Sequence, residues 1–443
     1  MSSYACFQLS TTADRTHREV GQAPARIIAW PRLGRRASLL SVNPLAHDDF
    51  RWLLTGRTCG ELGNAVAPVA LAFAVLDRTG SAVDLGFVVG ARSLASVLLV
   101  LFGGMLADRL PRSVILQGSE LASALTQAVI AASVLCGFGS VPLLVALSLA
   151  NGAVAAVSLP AASALTPQTV PENVLAQANA YVRIGANLGR FTGAAVGGVL
   201  VAGLGSGWAI AVNASLFLSA ALSYRRIRVE PAVVPSSRPL AELAEGWREF
   251  SSRSWIWTVA AQFCVVNAVN AGAVQVLGPL IADHTIGRRA WGLILAAQTI
   301  GALAGGVLAA RWQPRRALLV GVAVTFADVL PLVFLVQVPL VLPLLAAGFV
   351  NGVAIEVFTV AWDVSLQENV PADRLSRVYS YDLLGSIVAL PVGAVAAGPL
   401  AARFGTQPVL LAGAAAIAVA TAGALLNREI RILRRRGPRA TPV

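Results

Sequence analysis

The 443-residue chain contains no lysine; all 34 of its basic residues are arginine. Without a phosphate-loop lysine it cannot by itself be a conventional ATP-hydrolysing pump subunit. Without any lysine it cannot form the Schiff bases of pyridoxal-phosphate enzymes either. Arginine used alone, beside abundant alanine, points to a high-GC coding bias. Charge of either sign is scarce, at 13% of residues, against about a quarter in soluble domains. With 56% hydrophobic residues and a mean hydropathy of +0.71, this excludes a soluble globular domain, a disordered chain and a coiled coil. Cysteine and histidine are few. Cys6, Cys59, Cys136 and Cys264 form no CxxC pair, and His17, His47 and His284 lie far apart, so neither a disulfide scaffold nor a metal or catalytic-histidine site is expected. No nucleophile–base spacing suggests an enzyme, and no cofactor is expected.

What the chain has instead is long apolar runs. A helix needs about 20 apolar residues to cross roughly 30 Å of hydrocarbon. Windows of that width fall near 53–76, 84–106, 113–137, 141–165, 177–203 and 207–224, then near 255–281, 290–310, 316–337, 340–365, 377–401 and 407–426. The arginines test this count. With both termini in the cytoplasm, 26 of the 34 lie in cytoplasmic segments, four lie outside (Arg78, Arg288, Arg289 and Arg403) and four lie within spans. That asymmetry fits an even number of spans with both ends inside. It also accounts for the net charge of +12 through membrane topology, with no nucleic-acid partner implied.

The two sets of six runs repeat each other. At an offset of 200, Asn151-Gly152 matches Asn351-Gly352, and Val170-Pro171 matches Val370-Pro371. Thirteen of the fifty positions from Asn151 to Leu200 are identical in the second copy. The expected organisation is therefore a disordered, cytoplasmic tail at 1–50, a six-helix half at 51–224, a cytoplasmic connector at 225–254, a second half at 255–427 and a basic tail at 428–443. The connector holds Pro231, Pro235 and Pro239, then an amphipathic run from Leu240 to Phe250 expected as a short surface helix. The first 50 residues lack an apolar stretch long enough for a signal sequence.

After the second run comes GGMLADRLPRSVIL, from Gly103 to Leu116. At Gly104, Leu106, Ala107, Asp108, Arg109 and Arg112 it resembles the loop 2–3 signature of the major facilitator superfamily, with Pro111 in place of the second glycine. The resemblance implies an all-α membrane fold of twelve helices in two pseudo-symmetric halves around a central cavity. It also implies a cytoplasmic charge latch at Gly104, Asp108, Arg109 and Arg112 that breaks and reforms during alternating access. The second-half counterpart, GGVLAARWQPRR from Gly305 to Arg316, has Ala310 where the aspartate stands. The fifth run resembles the antiporter signature of drug exporters at Gly189, Gly193, Gly197 and Gly198, with Ala194 replacing its proline. Glycines at such spacing also serve close helix packing alone. The segment from Ser158 to Ala180, and the TGSA at Thr79 to Ala82, resemble a branch that exports macrolides, other drugs and siderophores.

Ionisable groups inside spans cost about 2.5–3.5 kcal/mol each on insertion scales, so they face cavities or partners. Arg57, Glu61, Asn64 and Pro68 share one helical face by spacing, and Arg57 can pair with Glu61. Arg92, Glu120, Arg190, Asp328 and Glu356 complete the candidate coupling set, with Glu61 first among the acids and Glu120 and Glu356 next. The expected function is proton-driven export of a small amphipathic compound by a monomer in a bacterial cell membrane, powered by the proton gradient. Uptake, transport of a siderophore or other metabolite, and a non-transporting membrane sensor are the alternatives.

Overall fold

A computed structural model describes residues 43–107, 111–228, 247–312 and 314–435. Backbone N–H and C=O groups have no water to bind within hydrocarbon, so each span must satisfy them internally as a helix. Among the described residues, twelve helices are long and apolar enough to cross a membrane. They are α1 (Asp48–Thr79), α2 (Ala82–Ala107), α3 (Arg112–Leu135), α4 (Val141–Thr169), α5 (Leu175–Leu204) and α6 (Ser206–Tyr224), followed by six more. These are α7 (Ser254–His284), α8 (Arg288–Arg311), α9 (Ala317–Gln337), α10 (Val341–Asn369), α11 (Ala372–Ile387 and Leu390–Phe404) and α12 (Thr406–Leu426).

Each of the twelve apolar windows coincides with one helix, and several helices extend past their window. Helix α1 begins at Asp48 rather than near residue 53, and Phe50, which falls in the expected tail, is fully buried. Polar residues at span ends dilute hydropathy without stopping a helix, which is why the windows came out short. Of the amphipathic run in the connector, residues 247–250 are helical and 240–246 lie outside the described residues. There Glu249 binds Arg374 at 2.9 Å and Arg253 at 2.6 Å. Hydrogen bonds from Arg374 first, then Arg253, hold its carboxyl below the usual carboxylate range. The start of the basic tail also docks: Arg428–Ile432 is a short helix, α13, with Ile430 buried.

Lipid tails are as apolar as leucine, so helix association within a membrane depends on close packing of small residues. The repeated glycines supply it. Added methyls on Gly152 and on Gly352 would run into the backbone carbonyls of Arg92 and Gln298, locking α4 on α2 and α10 on α8. Gly193 packs on Leu62 and Gly393 on Ala268, locking α5 on α1 and α11 on α7. The halves then meet through the next pair, Gly198 against Gly292 of α8 and Gly398 against Val83 of α2. The single-glycine turns Gly205 and Gly405, also 200 apart, have φ of +87° and +86°. Sequence repeat and packing repeat are thus one pattern.

One face of the bundle carries the connector and the ends of even-numbered helices; both seams between halves lie toward the opposite face. Three helices of the second half are irregular at mid-depth, α9 by a 3-10 turn at Thr325–Asp328. Helix α7 contains a π-helical turn at Ala273–Leu277. Helix α11 breaks after Ile387 because Pro391 has no N–H for the Ile387 carbonyl and its ring clashes there. The neighbouring Ser386 carbonyl is taken by Asn267 Nδ2 of α7 at 2.9 Å.

A methyl on Gly193 would lie 2.5 Å from the Leu62 carbonyl oxygen, whereas one on Gly203 would meet nothing within 4 Å. Gly193→Ala is expected to cost about 1–3 kcal/mol through overpacking, and Gly203→Ala to be neutral or mildly stabilising through helix propensity. Thermal unfolding of the purified variants in detergent checks the contrast; equal melting temperatures would remove glycine packing as the basis of the α1–α5 contact.

Candidate functional site

Helix α1 is buried on most of its circumference, yet Asn64 and Pro68 are exposed and Arg57 and Glu61 are partly so. All four lie on the face read from their spacing. Glu61 sits between two arginines: Arg57 Nη2 is 3.6 Å from Oε1, and Arg190 Nε of α5 is 3.2 Å from Oε2. Behind α1, Glu120 of α3 reaches the backbone at Gly60, where an added methyl would lie 3.0 Å from its Oε1. Glu120 Oε2 is buried without a hydrogen-bond partner, as is Arg57 Nε. Tyr224 of α6 closes the cluster against Gly56. Four candidates from the sequence, Arg57, Glu61, Glu120 and Arg190, therefore form one cluster built by α1, α3 and α5.

The other candidates lie apart. Glu356 of α10 is partly exposed, packs on Gly305 and is within electrostatic reach of Arg183 and Arg190 on α5. An acid of the second half thus faces arginines of the first. Asp328 is buried in the second half at the end of a 3-10 turn, Thr325–Asp328, within α9. It accepts from Asn351 Nδ2, and Gln298 Nε2 donates to Asn351 Oδ1 at 2.6 Å. Arg92 stands alone on α2 beside a cavity between the halves. Of the expected latch, Gly104 lies within α2 and Arg112 begins α3, while Asp108 and Arg109 lie outside the described residues. Gly189, Gly193 and Gly197 pack on α1 and Gly198 on α8, so each glycine of that motif has a packing role. No group of three or more His, Cys, Asp or Glu among the described residues could hold a metal ion.

One cluster was not anticipated from sequence. Arg288, at the start of α8, contacts Asp77 at the end of α1 at 2.5 Å and Asp283 at 2.7 Å. Ser206 Oγ donates to the other Asp77 oxygen at 2.8 Å, and the Arg288 guanidinium lies 4.9 Å from the Phe73 ring centre. This pair ties the first half to the second at the face opposite the connector. Asp77 and Arg288 are 211 positions apart and fall at span ends, where sequence reading treats charge as solvated loop.

Two six-helix halves related by a parallel repeat, with ionisable groups gathered where the halves face each other, make up a transporter scaffold. Residues 53–383 match the sequence pattern of the Major Facilitator Superfamily. The chain belongs to that family. It is a multi-pass membrane transporter and not an enzyme. It is 29% identical over 372 residues to the multidrug efflux pump Tap of Mycolicibacterium fortuitum, covering 79% of this chain and 88% of that protein. It is 26% identical over 426 residues to the enterobactin exporter EntS of Salmonella typhimurium, covering 91% and 97%. Among solved structures, an inward-facing bacterial homologue of the lysosomal transporter Spinster superposes with a TM-score of 0.69 at 16% identity, covering 88% and 98%. The nucleoside transporter NupG does so with 0.66 at 14%, covering 87% and 99%. At those identities the likeness is one of fold.

Glu61→Gln leaves Arg57 and Arg190 without their carboxylate inside this facilitator. With Arg190 half-exposed, the expected loss is about 1–2 kcal/mol. Adding Arg57→Gln should restore part of it, since the two changes share one interaction. A double-mutant cycle on thermal unfolding measures the coupling; strictly additive losses would mean that the Arg57–Glu61 contact carries no stability.

Proposed function

We propose that this facilitator exports a small amphipathic compound, acting as a monomer by alternating access and driven by inward proton flow. The connector face and both termini are assigned to the cytoplasm on the strength of the arginine asymmetry. Export is supported by the named activities of Tap and EntS. Proton coupling is supported by one observation above all: Glu120 keeps a buried, unpartnered carboxyl oxygen beside a charge cluster that shares Arg57.

An unpaired charge held in that position costs several kcal/mol, so the proton on Glu120 and the position of Arg57 are linked. With Arg57 held by Glu61, Glu120 is best kept neutral by a proton. When α1 and α5 shift and Arg57 swings toward Glu120, the proton is released to the side then open. Glu61 is the competing partner that decides where Arg57 rests, and Arg190 carries that state across to Glu356 of the second half. The Asp77–Arg288 contact would hold the halves together at the outer face while the cavity opens to the cytoplasm, and must break once per cycle. The loop 2–3 motif would make the corresponding closure on the cytoplasmic side.

The test uses everted membrane vesicles, with dequenching of a pH-sensitive acridine dye recording proton release when compounds from an amphipathic panel are added. Glu120→Gln keeps the shape and cannot titrate, so it should abolish substrate-induced dequenching while leaving substrate binding to the purified protein within about threefold. Undiminished proton release by Glu120→Gln at equal membrane level would remove Glu120 as carrier. Substrate movement coupled in the opposite sense would favour uptake over export.

A further inference from the structure

Of the four arginines inside spans, three have an acidic counterpart: Arg57 and Arg190 bind Glu61, and Arg183 lies within electrostatic reach of Glu356. The fourth, Arg92, has no carboxylate and no hydrogen-bond acceptor for its guanidinium among the described residues. A cationic side chain deep in a membrane protein pairs with another group or lines an aqueous path, because leaving it alone is costly. Arg92 lines a cavity of about 170 Å³ between the two halves. Its wall comes from Pro68 of α1, Arg92 and Ser96 of α2, Gln275 of α7, and Ile387 and Leu390 of α11.

Two of the helical irregularities, those of α7 and α11, converge on this space. Gln275 is the middle residue of the π-helical turn in α7. Ile387 and Leu390 flank the break in α11, so the first turn of the Leu390–Phe404 half-helix stands at the wall. A helix N-terminus carries partial positive charge, the Gln275 amide can donate hydrogen bonds, and the guanidinium offers a fork that matches a carboxylate. Apart from Ser93 and Ser96, the rest of the wall is apolar.

Resting on the transport function proposed above, we propose that this cavity is an anion-recognition subsite. In it Arg92 takes a carboxylate- or phenolate-type group of an otherwise apolar substrate, Gln275 supplies a second donor, and the aliphatic wall holds the hydrocarbon part. The subsite selects amphipathic anions over neutral and cationic amphiphiles. Because α2 comes from one half and α7 and α11 from the other, the subsite exists only while the halves keep this arrangement, and a change of arrangement releases the anion.

The test is calorimetric titration of the purified full-length protein with 1-naphthoate and with 1-naphthamide, two compounds of nearly equal shape that differ in charge. The wild type should bind naphthoate at least tenfold more tightly than naphthamide. Arg92→Gln should erase that preference while leaving the melting temperature unchanged or raised, since no partner is left unpaired. Gln275→Leu should weaken naphthoate alone, by threefold or more, which tests the site without touching the arginine. Equal wild-type affinities, a preference that survives Arg92→Gln, or a lower melting temperature for Arg92→Gln would each overturn the subsite. If the wild type shows no charge preference yet couples proton release to other compounds, the subsite falls and the transport function stands. If naphthoate is preferred but no compound elicits proton release, the transport function falls and the binding site stands.

Discussion

Everything else in this fold depends on how closely one helix backbone can approach another in a medium that offers no hydrophobic drive between helices. Glycine sets that distance. The contacts of Gly152 with Arg92, of Gly352 with Gln298 and of Gly393 with Ala268 leave no room for a side chain, and that of Gly193 with Leu62 little more. The same arrangement recurs in both halves because the residues recur at an offset of 200. The seams between halves use glycine too, at Gly198 with Gly292 and at Gly398 with Val83. Flat contacts without interlocking side chains are what two rigid halves need if they are to rock against each other.

Charge is the second constraint, and it is spent at few places. Glu61, held by Arg57 and Arg190 with Glu120 behind it, lies on the cavity side of the first half. Asp328 is tied into an amide chain, through Asn351 and Gln298, wholly within the second half. Asp77 and Arg288 bridge the halves where α1 ends and α8 begins. In the first cluster Arg57 is paired with Glu61 and also lies within electrostatic reach of Glu120. The second is enclosed and serves as a fixed polar core of its half. Among the described residues the third has no other ion-pair partner in the opposite half, so breaking it is coupled to separating the seam.

The span count, the repeat and the shared face of Arg57, Glu61, Asn64 and Pro68 could be read from the sequence because each is a periodic signal along one helix. Span ends came out short where polar residues such as Asp48 and Asp49 continue a helix beyond its apolar stretch. What one chain cannot signal is which distant helices bring their charges together. Nothing in the spacing says that Arg190 would reach Glu61 rather than Glu356, or that Asp77 would meet Arg288. The glycines of α5 could be recognised as a motif, but their packing role emerges only against Leu62, Val66 and Gly292. Pro391, the cause of the break in α11, is visible in the sequence; that the break stands beside the cavity, through Ile387 and Leu390, is not.

The central claim is that the two halves move as units about these seams, opening one face as the other closes. Spin-label distances in a cysteine-free background test it directly, with one pair at Leu204 and Phe404 across the face opposite the connector and another at Ala180 and Trp312 across the connector face. On moving between pH 5 and pH 8 in lipid nanodiscs, the two distance distributions should shift in opposite senses, one lengthening as the other shortens. Distances that stay fixed across that range, or that lengthen and shorten together, would contradict the account.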